Sequence, residues 1–329
     1  MVKKPDWKER CTRCGTPLSE PSHVHHNIIE ENSNPAPKQV IDFLEFRWEC
    51  PPEGRFGRNV LVQATLIKYE DRLPYVKVCE SLDRTYGLRV TPATVMDITR
   101  RVCDWLRPEY ERILRRIRAA DVVYVDETGA KVDGILHWTG GFTTGRETMV
   151  AVRKSGGSKV LEEILGEGFD GVIVCDGWRA YPCFTPRIQR CWVHLLREAG
   201  PLWEALRGLY GGLCCWAVDK SSPGEGARLA LEVRAVMEGW AGRLYETEEV
   251  RGFAVEMGNG MDYWFTFLTV SGVGLMDDRA ERAVFWTFRS GEGTGVCEMV
   301  MTVLASWKWQ GRDLSRTLGE TLTQEWTRS

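Results

Sequence analysis

Hydrophobic positions recur with a helical period between residues 73 and 117, in two runs separated by Gly87. Thr91-Pro92 opens the second run with a capping residue and a proline at the first helical position, which is typical of a helix start. The positions that share an apolar face are Tyr75, Val78 and Leu82 in the first run and Val95, Ile98, Val102 and Trp105 in the second. Two helices joined by a short turn that contains glycine predict a helix-turn-helix.

After residue 120 the pattern changes from helical to extended. Residues 122–125 are β-branched or aromatic and are followed by Asp126, which predicts a buried strand with a carboxylate at its end. Asp133-Gly134 and Thr144-Gly145 are turn sequences that separate this strand from two more, at residues 135–139 and 148–152. Three antiparallel strands are therefore predicted.

A second group of elements follows these strands. Ser158 is a candidate cap for a short helix, and residues 171–175 form another apolar strand that ends on Asp176. Residues 188–193 predict a fifth strand leading into His194, and residues 202–255 are mainly helical. The predicted fold class is α/β, a mixed sheet with helices on its faces and a helical insertion, as in ribonuclease-H-like domains.

The two strand-end acids predict a metal site. Asp126 and Asp176 would repel each other unless a cation lay between them, and such oxygen ligands select Mg²⁺ or Mn²⁺. Two-metal phosphoryl transfer needs a further carboxylate, for which Glu281 is the best candidate, at the start of a helix that Asp277 can cap. Each acid alone has a structural alternative, because Asp is common in turns and Glu in the first turn of a helix.

Three cysteines near the beginning of the chain suggest a second, structural metal site. Cys11-x-x-Cys14 is a turn that can place two thiolates on one Zn²⁺, and Cys50 with Glu53 forms a similar turn. The fourth ligand is open between Glu53 and the histidines His23, His25 and His26, which we expect on the loop between the turns. The alternative is a small ribbon held by packing alone. The other cysteines of the eleven are expected to be reduced core residues.

Composition identifies a folded chain of two or three domains. It has 329 residues, 43% of them hydrophobic and 27% charged, and no apolar run long enough for a membrane span, so a cytoplasmic protein without a membrane partner is expected. The net charge of −3 by itself argues against a DNA partner. However, residues 1–120 hold 21 Lys and Arg against 17 Asp and Glu, so the acidic excess lies entirely after them.

The basic excess includes Arg89, Arg100 and Arg101, which the helical pattern leaves available to DNA phosphates. Such residues more commonly form a solvated helix face. Because the acidic remainder includes carboxylates that metal ions would neutralise, the net charge does not exclude DNA, and it predicts weak nonspecific binding without divalent metal.

Four ordered sequence blocks resemble the transposases of the insertion sequence 66 family. They are Val125-Asp126-Glu127-Thr128, Cys175-Asp176-Gly177-Trp178-Arg179-Ala180-Tyr181, Gln189-Arg190-Cys191-Trp192-Val193-His194-Leu195-Leu196-Arg197 and Asp278-Arg279-Ala280-Glu281-Arg282. The resemblance extends from about residue 11 to residue 318.

The resemblance implies a DDE enzyme that cuts and joins DNA through Asp126, Asp176 and Glu281, with Mg²⁺ or Mn²⁺ activating first water and then a freed 3′ hydroxyl. It implies a supporting role for His194 in a Cys-x-x-His signature, although a histidine bonded to a backbone carbonyl is equally expected. Arg197 and Arg282 are further candidates for DNA contact. The implied partners are the terminal inverted repeats and target DNA, a second copy of the chain on the DNA, and accessory proteins encoded by the element. A cytoplasmic transposase would associate with the nucleoid when bound.

The chain departs from the family pattern at two places. It has Asp277-Asp278 where the family has Asn-Asn, and the segment after Glu281 is shorter and less basic. A truncated copy that only binds DNA is therefore an alternative, and a nuclease of the same fold that acts on branched or RNA-containing duplexes is another. The predicted organisation is a zinc-ribbon-like segment at 1–58, a helix-turn-helix region at 59–119, a catalytic domain at 120–318 with its insertion at about 200–260, and a tail at 319–329.

Trp178, Trp192 and Trp286 lie close in sequence to the predicted site. An indole there could stack on an unpaired base at an element end. Packing in the core is the more common role of a large aromatic side chain.

Overall fold

A computed structural model describes residues 23–31, 39–47, 56–219, 223–274 and 291–328. The chain divides into two compact units, an N-terminal unit of residues 1–106 with 313–329, and a central unit of residues 107–312. The elements are, in chain order, β1 (His23–Glu31), β2 (Gln39–Arg47), α1 (Arg58–Tyr69), α2 (Tyr75–Tyr86), α3 (Pro92–Arg118), β3 (Val122–Val132), β4 (Ile135–Thr143), β5 (Thr148–Arg153), α4 (Ser158–Leu165), β6 (Val172–Cys175), α5 (Ala180–Phe184), β7 (Ile188–Arg190), α6 (Trp192–Glu198), α7 (Trp203–Asp219), α8 (Pro223–Ala241), α9 (Glu248–Asn259), α10 (Thr266–Thr269), α11 (Gly291–Trp309) and α12 (Leu314–Arg328). None of the helices within these ranges is long and apolar enough to cross a membrane.

In the N-terminal unit, the predicted pair of helices is present as α2 and α3. Gly87 ends α2 in the left-handed conformation and donates its N–H to the carbonyl of Asp83, as expected for a helix terminator. Thr91 caps α3, because its Oγ1 accepts the N–H of Thr94 at 3.2 Å. The apolar positions that the pattern selected, Val78, Leu82, Val95, Ile98 and Val102, are buried.

The hairpin of β1 and β2 corrects one expectation. His23, His25 and His26 lie in β1, which pairs antiparallel with β2 from His23 opposite Arg47 to Glu31 opposite Gln39. The sequence analysis placed these histidines on a loop, because a segment rich in histidine lacks the apolar alternation by which a strand is recognised.

The central unit contains a five-stranded mixed sheet with the order β5-β4-β3-β6-β7. β3, β4 and β5 are antiparallel neighbours, while β6 is parallel to both β3 and β7. The three antiparallel strands and the two later strands are therefore confirmed. The sheet and its helices form a mixed α/β fold that is consistent with a ribonuclease-H-like domain.

Three predicted boundaries were wrong. β3 does not end before Asp126 but continues to Val132, because pairing with β4 carries it on and sets Asp126 opposite Gly141. β7 ends at Arg190, and His194 lies in α6 rather than at a strand end. Ser158 is the first residue of α4, which begins after Gly157 without a side-chain cap.

The helical insertion predicted between residues 202 and 255 is present as α7, α8 and most of α9. Its apolar faces form a core with the end of the sheet, in which Trp192 is fully buried and donates its indole N–H to the carbonyl of Trp264 at 2.9 Å. Trp192 is therefore a core residue and does not stack on DNA. Gln189, at the centre of β7, binds the same region through the carbonyl of Trp264 and the N–H of Phe267.

Helix α11 covers the edge strand β5 with polar side chains. The N–H groups of Thr148, Val150 and Val152 donate to α11, and their acceptors are Ser306 Oγ at 3.0 Å, Thr302 Oγ1 at 3.0 Å and Glu298 Oε1 at 2.8 Å. The three donors are spaced two residues apart in β5, a rise of about 6.7 Å, and the three acceptors are spaced four residues apart in α11, a rise of about 6 Å. Because these rises are similar, the strand and the helix stay aligned over all three hydrogen bonds. The edge of the sheet is thereby saturated without another strand.

The hydrogen bond from Val150 to Thr302 gives a stability prediction. Thr302→Val keeps the shape of the side chain but leaves a buried N–H without an acceptor, so we expect the free energy of unfolding to fall by about 1–3 kcal/mol in urea denaturation. Thr65→Val is the matched control, since Thr65 is also helical and fully buried and its hydroxyl has no partner among the described residues. Its substitution should leave stability unchanged or raise it. Equal losses in the two variants would contradict the assigned role of Thr302.

Candidate active site

The register of β3 and β6 sets Asp126 beside Asp176. The parallel ladder pairs Val122 with Val172 and Tyr124 with Val174, and continuing it by two residues sets Asp126 level with Asp176, which directly follows β6. Such strands lie about 4.8 Å apart, and level residues of parallel strands point to the same face. Both aspartates are half-buried. The structure thus brings together the two acids that the sequence identified.

One oxygen of each aspartate is held by a backbone N–H. Asp126 Oδ1 accepts the N–H of Glu127 at 2.9 Å, and Asp176 Oδ1 accepts the N–H of Trp178, also at 2.9 Å. The second oxygen of each carboxylate makes no hydrogen bond with the described residues. Each aspartate is therefore oriented by the backbone and keeps one oxygen that no described residue bonds, which is the arrangement a metal ligand needs.

Glu127 is a third acid at this place, and the sequence analysis gave it no role. Its side chain lies on the opposite face of β3 from Asp126, and Tyr181 donates its hydroxyl to Glu127 Oε1 at 3.3 Å. The pKa of Glu127 is raised to about 7, chiefly by burial and also by the charges of Asp176 and Asp126, whereas the bond from Tyr181 opposes the rise. The only signal in the sequence was its position directly after Asp126.

His194 is near both aspartates, although it lies on a helix. The N–H of Cys191 donates to the carbonyl of Cys175 at 2.7 Å, which joins the start of α6 to the end of β6. Interaction with the thiol of Cys191 raises the pKa of His194, burial opposes this, and the charges of Asp126 and Asp176 raise it further. The Nδ1 atom is buried and makes no hydrogen bond of good geometry with a described residue.

Arg190 links the insertion to the loop after Asp176. It is 7% exposed, lies opposite Cys175 in the ladder of β6 and β7, and donates from Nη2 to the carbonyl of Gly177 at 3.1 Å. Its guanidinium lies 5.5 Å from the ring centre of Trp264, and it packs so closely on Gly260 that an added Cβ would overlap Nη1 and lie 3.0 Å from Cδ. Sequence reasoning missed Arg190 because a buried arginine cannot be distinguished from an exposed one by residue type.

The predicted basic residues are on the surface. Arg89 lies 3.6 Å from Asp83 and Arg100 lies 3.0 Å from Asp97 in exposed ion pairs, and Arg101 lies over the ring of Trp105. Arg197 is exposed on α6. Exposed pairs of this kind contribute little to stability, so these arginines could exchange an acid for a phosphate at small cost. The predicted residues Cys11, Cys14, Cys50, Glu53, Glu281 and Arg282 lie outside the described residues.

Asp126, inside β3, and Asp176, directly after β6, fit a hard divalent cation. Asp126 and Asp176 present oxygen ligands on one face of the sheet, the donor type that Mg²⁺ and Mn²⁺ prefer. Within the described ranges, no three acidic, histidine or cysteine side chains converge into a ready metal site. A metal ion held by the two aspartates would therefore need further ligands from water, from substrate or from the residues between 274 and 291.

A mixed sheet of this order with two aligned aspartates is consistent with the ribonuclease-H-like class of phosphoryl-transfer domains. Residues 53–209 match the family model described as Transposase IS66 family, and the matched part is its DDE domain. The chain therefore carries a DDE domain of the IS66 transposase family across these residues, which implies transposase function, DNA binding and the use of divalent metal. The match includes Asp126, Asp176 and His194 and ends before Glu281. No curated protein matches the chain.

The contact between Arg190 and Gly260 is testable through a single methyl group. Gly260→Ala should displace the guanidinium from the carbonyl of Gly177 and lower the free energy of unfolding by about 1–3 kcal/mol, because the added Cβ overlaps a packed side chain. Gly252→Ala is the control on the same helical insertion, since Gly252 lies inside α9 with open space around it. It should stabilise the protein by about 0.5–1 kcal/mol.

Chemical denaturation of both variants measures these opposite effects. A loss in Gly260→Ala no larger than that in Gly252→Ala would show that Arg190 is not held in the described position.

Proposed function

We propose that this protein is a metal-dependent DNA transposase that cleaves and joins strands at the ends of an insertion sequence through Asp126, Asp176 and Glu281. The observation that carries the proposal is the position of Asp126 in β3 and of Asp176 directly after the neighbouring parallel strand β6, inside the matched DDE domain. Its substrates would be the terminal inverted repeats of the element and its target DNA.

In this mechanism Asp126 and Asp176 would hold the catalytic Mg²⁺ or Mn²⁺ through carboxylate oxygens. The ions would supply Lewis acidity for displacement at the phosphoryl group. The two backbone N–H groups hold the carboxylates in place, and the hydroxyl of Tyr181 holds Glu127 on the other face of β3. His194 adds a positive or hydrogen-bonding group on the side of α6, where it can contact the scissile phosphate.

The chain on both sides of Glu281 is attached to the sheet that bears the aspartates. The N–H of Gly274 donates to the hydroxyl of Tyr124 at 3.1 Å, and Tyr124 lies two residues before Asp126 in β3. Glu281 follows Gly274 by seven residues, which span at most about 25 Å when fully extended, so the chain is long enough for Glu281 to reach the aspartates. On the other side, α11 begins at Gly291 and is bonded to β5. These attachments support Glu281 as the third acid.

The N-terminal unit would supply DNA binding. A helix pair with Arg89, Arg100 and Arg101 at its surface is suited to phosphate contacts, and Arg197 and Arg282 would add contacts near the site. Cys11, Cys14 and Cys50, with Glu53 or a histidine, are proposed to bind a structural Zn²⁺. Action at two element ends favours a homo-oligomer on DNA, and accessory proteins encoded by the element are further proposed partners.

Charge-removing variants of the aspartates test the mechanism. Asp126→Asn and Asp176→Asn should each reduce cleavage of element-end DNA in Mg²⁺ by about 10²- to 10³-fold or more, because each loses an ionised ligand that stabilises the transition state. Asp133→Asn is the matched control. Asp133 is exposed at the turn between β3 and β4 with φ of +50°, which Asn adopts readily, so its activity should be unchanged.

The assay is gel analysis of labelled end DNA with Mg²⁺ and with chelator. Cleavage by Asp126→Asn equal to that of the unsubstituted protein would overturn the assigned site. Binding to end DNA without nicking in any divalent metal would favour a copy that only binds DNA. That alternative arises from Asp277-Asp278 and from the short segment that follows Glu281.

A further inference from the structure

Two tryptophans near the loop that follows Asp176 leave much of their rings exposed. Trp138 in β4 and Trp178, two residues after Asp176, are each 39% exposed. Their ring centres are 6.5 Å apart and their planes are inclined by only 25°, so the indoles are stacked. Burial of such rings is strongly favourable, and an exposed pair at a site indicates a surface that binds a ligand.

Trp178 is fixed in this position from three sides. Its backbone N–H is bonded to Asp176 Oδ1, and its ring meets Tyr181 edge-on with centres 6.0 Å apart. It also packs on the backbone of Gly156, where an added Cβ would lie 2.9 Å from the ring and 2.6 Å from Glu127 Oε2. Because the ring is already immobilised, binding against it costs little side-chain entropy.

The surface around Trp138 is open and flanked by positive charge. In the ladder of β3 and β4, Trp138 lies opposite Gly129, which is exposed and has no side chain to cover the ring. Lys131 lies on the same face, and Arg179 follows Trp178 in the chain; both are exposed. Aromatic rings interleaved with basic residues are the recognised arrangement for single-stranded nucleic acid.

We propose that Trp138 and Trp178 form a stacking subsite for an unpaired nucleotide base of the DNA strand that is cleaved at Asp126 and Asp176. The inference deepens the proposed function and rests on it for the identity of the strand. The hydrogen bond between Trp178 and Asp176 ties the subsite to one of the two proposed catalytic acids, so a stacked base would hold its neighbouring phosphate close to Asp176. The subsite therefore selects strand ends that are frayed or unpaired over fully paired duplex.

Binding is measured with the full-length protein in Ca²⁺ or chelator, so that cleavage does not interfere. The probes are a single-stranded oligonucleotide that carries 2-aminopurine and its fully paired duplex. Trp138→Ala and Trp178→Ala should each weaken single-strand binding by about 10-fold and relieve the quenching of 2-aminopurine, whereas duplex binding should not change. Trp178→Phe should retain part of the quenching, which guards against loss of folding.

Trp203→Ala is the matched control, because Trp203 is 42% exposed on α7 and lies under Arg207 rather than beside the aspartates. It should bind both probes like the unsubstituted protein. Single-strand affinity unchanged in Trp138→Ala and Trp178→Ala would overturn the subsite. An equal loss of affinity for single strand and duplex would also overturn it. If the variants instead lost self-association in sedimentation and kept their DNA affinity, the tryptophans would contact a second copy of the chain rather than DNA.

These outcomes separate the subsite from the proposed function. If the tryptophan variants lose single-strand binding but the unsubstituted protein never cleaves DNA, the stacking subsite is supported and the transposase mechanism is contradicted. Cleavage that depends on Asp126, together with normal single-strand binding by the tryptophan variants, would remove the subsite alone.

Discussion

The parallel pairing of β3 with β6 is the constraint on which the rest of the central unit depends. It sets two like charges side by side, which is unfavourable unless the surroundings compensate. β6 is buried along all four residues, so its burial stabilises the register, and backbone N–H groups at Asp126 and Asp176 offset part of the repulsion. A shift by one residue would turn one aspartate to the other face and destroy the pair.

The two helical parts of the central unit hold this pair from different sides. The insertion packs on β7, and through Arg190 it contacts the carbonyl that follows Asp176. Helix α11 satisfies the donors of β5 at the far edge of the sheet, 146 to 158 residues later in the chain. Both attachments are long-range, and both fix backbone rather than catalytic side chains. The site can therefore be rigid while its carboxylates keep a free oxygen.

Local pattern predicted much of this fold because its strands are short, apolar and separated by turn residues. It found the helix pair, the strand order of the antiparallel part and the proximity of Asp126 and Asp176. It ended β3 too early because a polar Asp126 interrupts the apolar run, and only pairing with Gly141 shows that the strand continues. Arg190 and Trp138 were missed for a related reason. The role of Arg190 depends on Gly260, 70 residues later, which leaves space for it, and that of Trp138 depends on its contact with Trp178, 40 residues later.

The electrostatics of the site explain why a net acidic chain would use aromatic rings to hold DNA. Residues after 120 carry more acidic than basic side chains, and the pKa of Glu127, raised to about 7 by burial and by its acidic neighbours, shows that another negative charge at this place is costly. A phosphate backbone meets the same repulsion until cations bind. Base stacking is insensitive to this repulsion, because it acts on the uncharged faces of the nucleotide. In the proposed subsite Trp138 and Trp178 would supply affinity without adding charge. Basic side chains packed against the aspartates would instead compete with metal ions for the carboxylate oxygens.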